Sequence, residues 1–204
     1  MVVFDATILI VLLYPDAPPP RHPDTNDPVD RFRDRIDYLV SQIEKSRDKI
    51  IIPTPALSEI LVRADEAAPK YLAKVNTVAV FRFAPFDKLA AVEVAAMTRG
   101  AIDTTPTRNR KGYQDGTWAK IKYDRQIVAI AKVNGAAVIY SDDGEIFKLG
   151  REHELTVIRT ADLPLPPEDA QMKLNLPPRK EGEDGEEGGK PKSDRSISTR
   201  CPRA

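Results

Sequence analysis

Apolar runs too short to be anything but strands, separated by stretches with helical period, most restrict how this chain can fold. Val2-Val3-Phe4, Ile50-Ile51-Ile52, Ala137-Val138-Ile139-Tyr140 and residues 155–158 are continuous or nearly so, while 78–83 alternates. Continuous runs of this length suit strands buried on both faces. Helical patterns lie between them. One covers 6–14 and is stopped by Pro15; another runs from the Asp27-Pro28 cap signal through Phe32, Ile36, Leu39, Val40 and Ile43. Further patterns run from Thr54-Pro55 to about residue 64, over 68–75, from Asp87 to near Gly100, over 118–134 up to Gly135, and over 145–152. Residues 15–25 and 102–116 read as loops. Strands alternating with helices specify an α/β fold, with helical layers on both sides of a central, mainly parallel sheet.

Residues 1–163 form the expected domain. From Pro164 onward Pro and charge dominate, and residues 181–192 hold almost nothing apolar. The stretch 164–204 is therefore expected to be a disordered tail, unable to offset its own ordering entropy.

The chain balances 31 Lys and Arg against 31 Asp and Glu, a net charge of zero. That excludes a uniformly basic nucleic-acid binder and permits only local basic patches. Cys201 is the single cysteine, and His22 and His153 stand far apart, so neither a disulfide framework nor a Cys/His metal site is available. Any metal must be held by oxygen. The apolar opening has no Lys or Arg before it and is interrupted by Asp5. The uninterrupted apolar stretch after Asp5 is shorter than the roughly 20 residues a membrane span needs. A cytoplasmic protein with no membrane partner is expected.

In an open parallel sheet, ligands bind beyond the carboxyl ends of the strands. Asp5 directly follows the first strand, and Glu59 lies in the first turns of the helix after the second. Asp142 and Asp143 follow the fourth strand, after Ser141. Asp124 lies in the helix leading into that strand, where Ile127, Val128 and Ala131 fix its facing. Each acid also has a plainer reading: Asp5 as a helix cap, Asp124 on a solvated face, Asp142-Asp143-Gly144 as a turn. Convergence of all of them is harder to dismiss. Two carboxylates about 4 Å apart repel by about 4 kcal/mol at an effective dielectric near 20. Such a cluster either raises its pKa values or takes up a cation. With no His or Cys to hand, the fitting cation is Mg²⁺ or Mn²⁺, one ion or two, and the chemistry it suits best is phosphodiester hydrolysis.

These segments resemble the PIN-domain nucleases. Val3-Phe4-Asp5-Ala6-Thr7 is similar to the family's opening, a strand ending in Asp with Ser or Thr two residues later. Pro55-Ala56-Leu57-Ser58-Glu59-Ile60 is similar to the segment supplying the second acid, and Asp124-Arg125-Gln126-Ile127-Val128-Ala129 to the Asp-x-x-Ile-x-Ala helix. Val138-Ile139-Tyr140-Ser141-Asp142-Asp143 resembles the closing strand. The resemblance runs to about residue 162. It implies Asp5, Glu59, Asp124 and Asp143 as catalytic metal ligands, with Asp142 the alternative to Asp143, and Thr7 and Ser141 as supporting hydroxyls. It also implies an RNA substrate, a homodimer, and the role of toxin in a bacterial toxin–antitoxin pair (VapC type), held by a cognate antitoxin. Two departures stand out. The Pro-rich loop lengthens the separation of Asp5 from Glu59, and Glu145-Ile146 stands where Asp-Phe is common.

Arg63, Arg108, Arg110, Lys111, Lys122 and Arg125 are the candidate phosphate contacts, with Lys120 beside them; Arg63, one helical turn after Glu59, can instead hold that carboxylate in place, and solvated surface charge is the plainer reading of each. Tyr113 and Tyr123 are candidates to stack on unpaired bases, whereas Trp118 reads as core. Two rival functions remain. A haloacid-dehalogenase-like phosphatase also places an Asp after the first strand, but wants an acid where Thr7 stands and leaves Glu59 and Asp124 unexplained. A non-catalytic PIN-like module would bind RNA or protein without cutting.

Overall fold

The computed structural model describes residues 1–103 and 117–167, with side chains described outside 100–122. The compact unit spans Met1–Pro167. In chain order it contains β1 (Val2–Phe4), α1 (Ala6–Leu13), α2 (Phe32–Lys45), β2 (Ile50–Pro53), α3 (Thr54–Ala64) and α4 (Ala68–Thr77). There follow β3 (Phe81–Ala84), α5 (Lys88–Asp103), α6 (Thr117–Val133), β4 (Val138–Tyr140), α7 (Gly144–Glu152) and β5 (Thr156–Ile158). The part of the expected tail beyond residue 167 lies outside the described residues, as does most of the 102–116 loop.

The five strands form one sheet in the order β3-β2-β1-β4-β5, and every pairing is parallel. Val3 sits opposite Ile51 on one side and Ile139 on the other. Consecutive residues of the inner strands (Val3 and Phe4; Ile50, Ile51 and Ile52) are all buried, so helices cover both faces of the sheet. Helix α1 packs on α2 and α3, and α3 on α4, while α6 packs on α5 and α7. This is the α/β architecture expected from the strand–helix alternation.

Helix α6 is fully enclosed along one stretch. Its residues Ile127, Val128, Ala129, Ile130 and Ala131 are buried in succession, so the helix has no solvated side over that stretch. Gly135, at φ +67°, ends the segment in the left-handed conformation that glycine adopts without strain. Among the described residues no helix is long and apolar enough to cross a membrane.

Four boundaries differ from the sequence reading. The Asp27-Pro28 signal does not open α2. Arg21 and Pro28 form an antiparallel bridge, and the Val29 N–H donates to Pro20 O at 2.8 Å, so the backbone there is already paired. The helix starts only at Phe32, after Arg31 in the left-handed region. Thr54 does not cap α3, since its hydroxyl accepts from the Phe86 N–H at 3.1 Å. Strand β3 starts at Phe81, because α4 continues to Thr77 and the Phe81 N–H donates to Val78 O across a turn. Helix α5 passes through Gly100 to Asp103.

The Pro-rich insertion is anchored by one side chain. The Arg33 guanidinium donates to the carbonyls of Val11, Tyr14, Pro15 and Ala17, closing the C-terminal end of α1 and pinning the first residues of the loop.

Gly150 of α7 lies against β5, and a Cβ added there would fall 2.3 Å from Val157 Cγ2. Val157 is buried and β-branched, so it cannot swing aside. Gly150→Ala is expected to cost about 1–3 kcal/mol of stability by overpacking. Chemical denaturation checks this, and an unchanged midpoint would contradict the close helix–strand contact.

Candidate active site

The strand order reverses at β1: the chain builds outward through β2 and β3, then returns to place β4 on the other side. Crevices form at such switch points, beyond the carboxyl ends of the strands. Asp5 ends β1 and Ser141-Asp142-Asp143 follow β4, so both acidic segments lie at the reversal. The Asp5 N–H donates to Tyr140 O at 3.1 Å and ties the two strand ends together.

Asp5 is 3% exposed. Its Oδ2 accepts from Ser141 Oγ at 2.8 Å, from Thr7 Oγ1 at 3.0 Å and from the Thr7 N–H at 3.5 Å. The two hydroxyls are themselves fixed: Thr7 Oγ1 accepts from the Asp142 N–H and Ser141 Oγ from the Asp143 N–H, both at 3.0 Å. The backbone after β4 therefore orients two hydroxyls, and these orient one carboxylate. Burial pushes the Asp5 carboxyl above its ordinary pKa, and the bonds from Ser141, Ala6 and Thr7 oppose that rise only in part. Asp5 is also the α1 N-cap, the plainer role its position after the first strand suggests.

Asp124 is 5% exposed on the N-terminal half of α6. The apolar residues after it seal the helix and aim it inward. Glu59 is half-exposed on α3 and pairs with Arg63 one turn later at 3.1 Å. Asp143 caps α7 by accepting from the Glu145 N–H at 2.7 Å.

All four acids line one cleft of about 600 Å³, together with Thr7, Pro55, Ser58, Val62, Arg63, Tyr123 and Ile127. They come from four elements far apart in sequence. Among the described residues, however, no three acidic, histidine or cysteine side chains stand together as a set that could hold a metal ion in this arrangement. Glu59 is drawn towards Arg63 and Asp143 towards the start of α7.

Asp142 is placed differently from Asp143. It does not line the cleft; its carboxylate accepts from the Thr160 N–H at 2.8 Å and from Thr160 Oγ1 at 2.7 Å. Burial raises its pKa, opposed by those two bonds and by the Arg159 charge. Asp142 thus ties the turn after β4 to the segment after β5. Thr160 is fully buried, so Asp142→Ala leaves two enclosed donors unsatisfied and should cost about 2–4 kcal/mol. Asp143→Ala removes a helix cap and should cost about 1 kcal/mol. Urea denaturation of the two variants checks the order, and equal losses would contradict this division of roles.

Of the candidate phosphate contacts, Arg63 lines the cleft. Arg125 does not: its guanidinium reaches Thr98 on α5 at 3.2 Å. Arg108, Arg110, Lys111 and Lys122, with Lys120, Tyr113 and Trp118, lie outside the described residues or side chains. Sequence reading missed Thr160, Ser58 and Val62. Only Val62 carried a signal, an apolar residue out of phase with the inward positions Ala56, Ile60 and Ala64.

No protein-family model and no curated protein matches the chain. Among solved structures it is similar to VapBC2 from Rickettsia felis, crystallised bound to a DNA fragment from their promoter. That similarity has a TM-score of 0.49 at 11% identity, covering 78% of this chain and 98% of that one. It is also similar to DNA-bound VapBC from Salmonella typhimurium, with a TM-score of 0.47 at 15% identity, covering 78% of this chain and 97% of that one.

Proposed function

We propose that this protein is a divalent-metal-dependent ribonuclease in which Asp5, Glu59, Asp124 and Asp143 hold one or two Mg²⁺ or Mn²⁺ ions. The observation that carries the reading is the lining of one cleft by four carboxylates from four elements, at the point where the strand order reverses. The donor set is all carboxylate, the chemistry that suits a hard cation. When bound, such an ion polarises phosphoryl oxygens and makes water more acidic.

The remaining work falls to the chain. Ser141 and Thr7 hold the Asp5 carboxylate in one orientation, so it needs no reorganisation to accept a cation. To join the other acids around an ion, Glu59 would leave its pair with Arg63, and that guanidinium would then be open to a phosphate. Asp143 stays at the start of α7, within the cleft lining.

Single-stranded RNA incubated with Mg²⁺ or Mn²⁺ tests the reading. Cleavage by the wild type, lost on chelation and in Asp124→Asn, supports it. RNA binding without cleavage favours the non-catalytic module, the reading with which the Glu59–Arg63 pairing and the capping role of Asp143 agree equally well. Phosphate release from small phosphomonoesters favours the phosphatase.

The resemblance to PIN-domain toxins extends the proposal to a cytoplasmic homodimeric toxin with an antitoxin partner. Overexpression should then arrest growth, and Asp124→Asn should relieve the arrest; normal growth on overexpression would contradict the toxin role.

A further inference from the structure

Few large apolar side chains of the described surface are strongly exposed, and two of them line the acidic cleft. Tyr123 on α6 is 51% exposed and Val62 on α3 is 80% exposed. Single exposed apolar residues are ordinary on a protein surface. These two differ in position. Tyr123 directly precedes Asp124, and Val62 lies three residues after Glu59, so each sits beside an acid whose side chain shares the same cleft.

Among the described residues, four acids against one cation, Arg63, line the cleft, so phosphate contacts there are few and contacts to the bases would add to seating a nucleic acid. A flat, uncharged ring supplies one. Bases stack on aromatic side chains whatever their identity, because every base has a π-face. In a duplex those faces are covered by neighbouring base pairs; in a single strand they are free.

We propose that Tyr123, with Val62 beside Glu59, forms a stacking subsite for one unpaired nucleobase next to the acids, and that this subsite makes the cleft selective for single strands. The inference rests on the nuclease reading for its ligand class, but it concerns binding and is testable apart from cleavage.

The experiment uses full-length Asp124→Asn with Mn²⁺ and a fluorescein-labelled single-stranded RNA of about 12 nucleotides, within the site sizes typical of such binders, read by fluorescence anisotropy. Adding Tyr123→Ala should weaken binding by about 5- to 150-fold, the range for one base stacked on an aromatic side chain, while Tyr123→Phe should stay within about twofold of the parent. The thermal midpoints should match, since Tyr123 is half-exposed. A duplex of the same sequence should bind more weakly and be indifferent to residue 123.

Equal affinities of the Ala variant and the parent overturn the proposal, as does an equal loss for single strand and duplex. Absence of RNA binding by every variant also overturns it. Tyr123-dependent binding together with a wild type that cuts nothing supports the subsite and refutes the nuclease.

Discussion

Asp124→Asn is expected to remove metal-dependent RNA cleavage while leaving the fold intact. Asn is isosteric with Asp, so the inward aim set by the buried run 127–131 is kept. What is lost is the negative charge that a hard cation needs from a side chain 5% exposed. Substitution of residues that merely support a metal ligand typically costs about 10–100-fold, so loss of a ligand should exceed about 100-fold. Single-turnover cleavage measured against circular dichroism separates chemistry from folding. A variant that cuts at the wild-type rate would remove Asp124 from the site.

The second large effect concerns stability without metal. Burial raises the Asp5 pKa above its ordinary 3.8, so over the window between that value and the folded one the native protein holds a proton that the unfolded chain has released. Stability of the metal-free protein therefore falls as pH rises through that window, with a slope of up to about 1.4 kcal/mol per pH unit, and stays low above it. Asp142 is shifted in the same direction and adds to the slope. Asp5→Asn should reduce the slope without abolishing it, and at neutral pH should raise the metal-free melting temperature. Asn keeps an oxygen to accept from Thr7, so the α1 cap survives. Thermal scans in chelator across the acid-to-neutral range check the sign. A wild type whose stability climbs with pH there, with Asp5→Asn less stable than wild type at pH 7, would mean that the carboxylate supports the fold.

Much of the fold could be read from the sequence because the inner strands are continuous apolar runs whose burial needs helices on both faces. Asp5 could be placed because it adjoins such a run, and Asp124 because the apolar residues after it fix the helix face. Reading failed where a distant partner overrode a local signal. Asp27-Pro28 has the chemistry of a helix start, but pairing with Arg21 claims its backbone. Just ahead of β3, in residues whose alternation reads as strand, the Ala79 carbonyl accepts from the Lys49 ammonium at 2.7 Å. The difference between Asp142 and Asp143 depends on Thr160, eighteen residues further on and marked by no local pattern. The Glu59–Arg63 ion pair, by contrast, is legible from their one-turn spacing, which leaves open only whether Arg63 holds that carboxylate or a phosphate.

Divalent-ion binding is the most direct test. Mn²⁺ titrated into metal-free protein can be followed by the loss of the free-ion electron paramagnetic resonance signal, in the wild type and in Asp5→Asn, Asp124→Asn and Glu59→Gln. The expected result is one or two ions bound by the wild type, with affinity reduced in each variant. Binding of Mn²⁺ with the same stoichiometry and affinity in all four proteins would show that the ion sits outside this cleft.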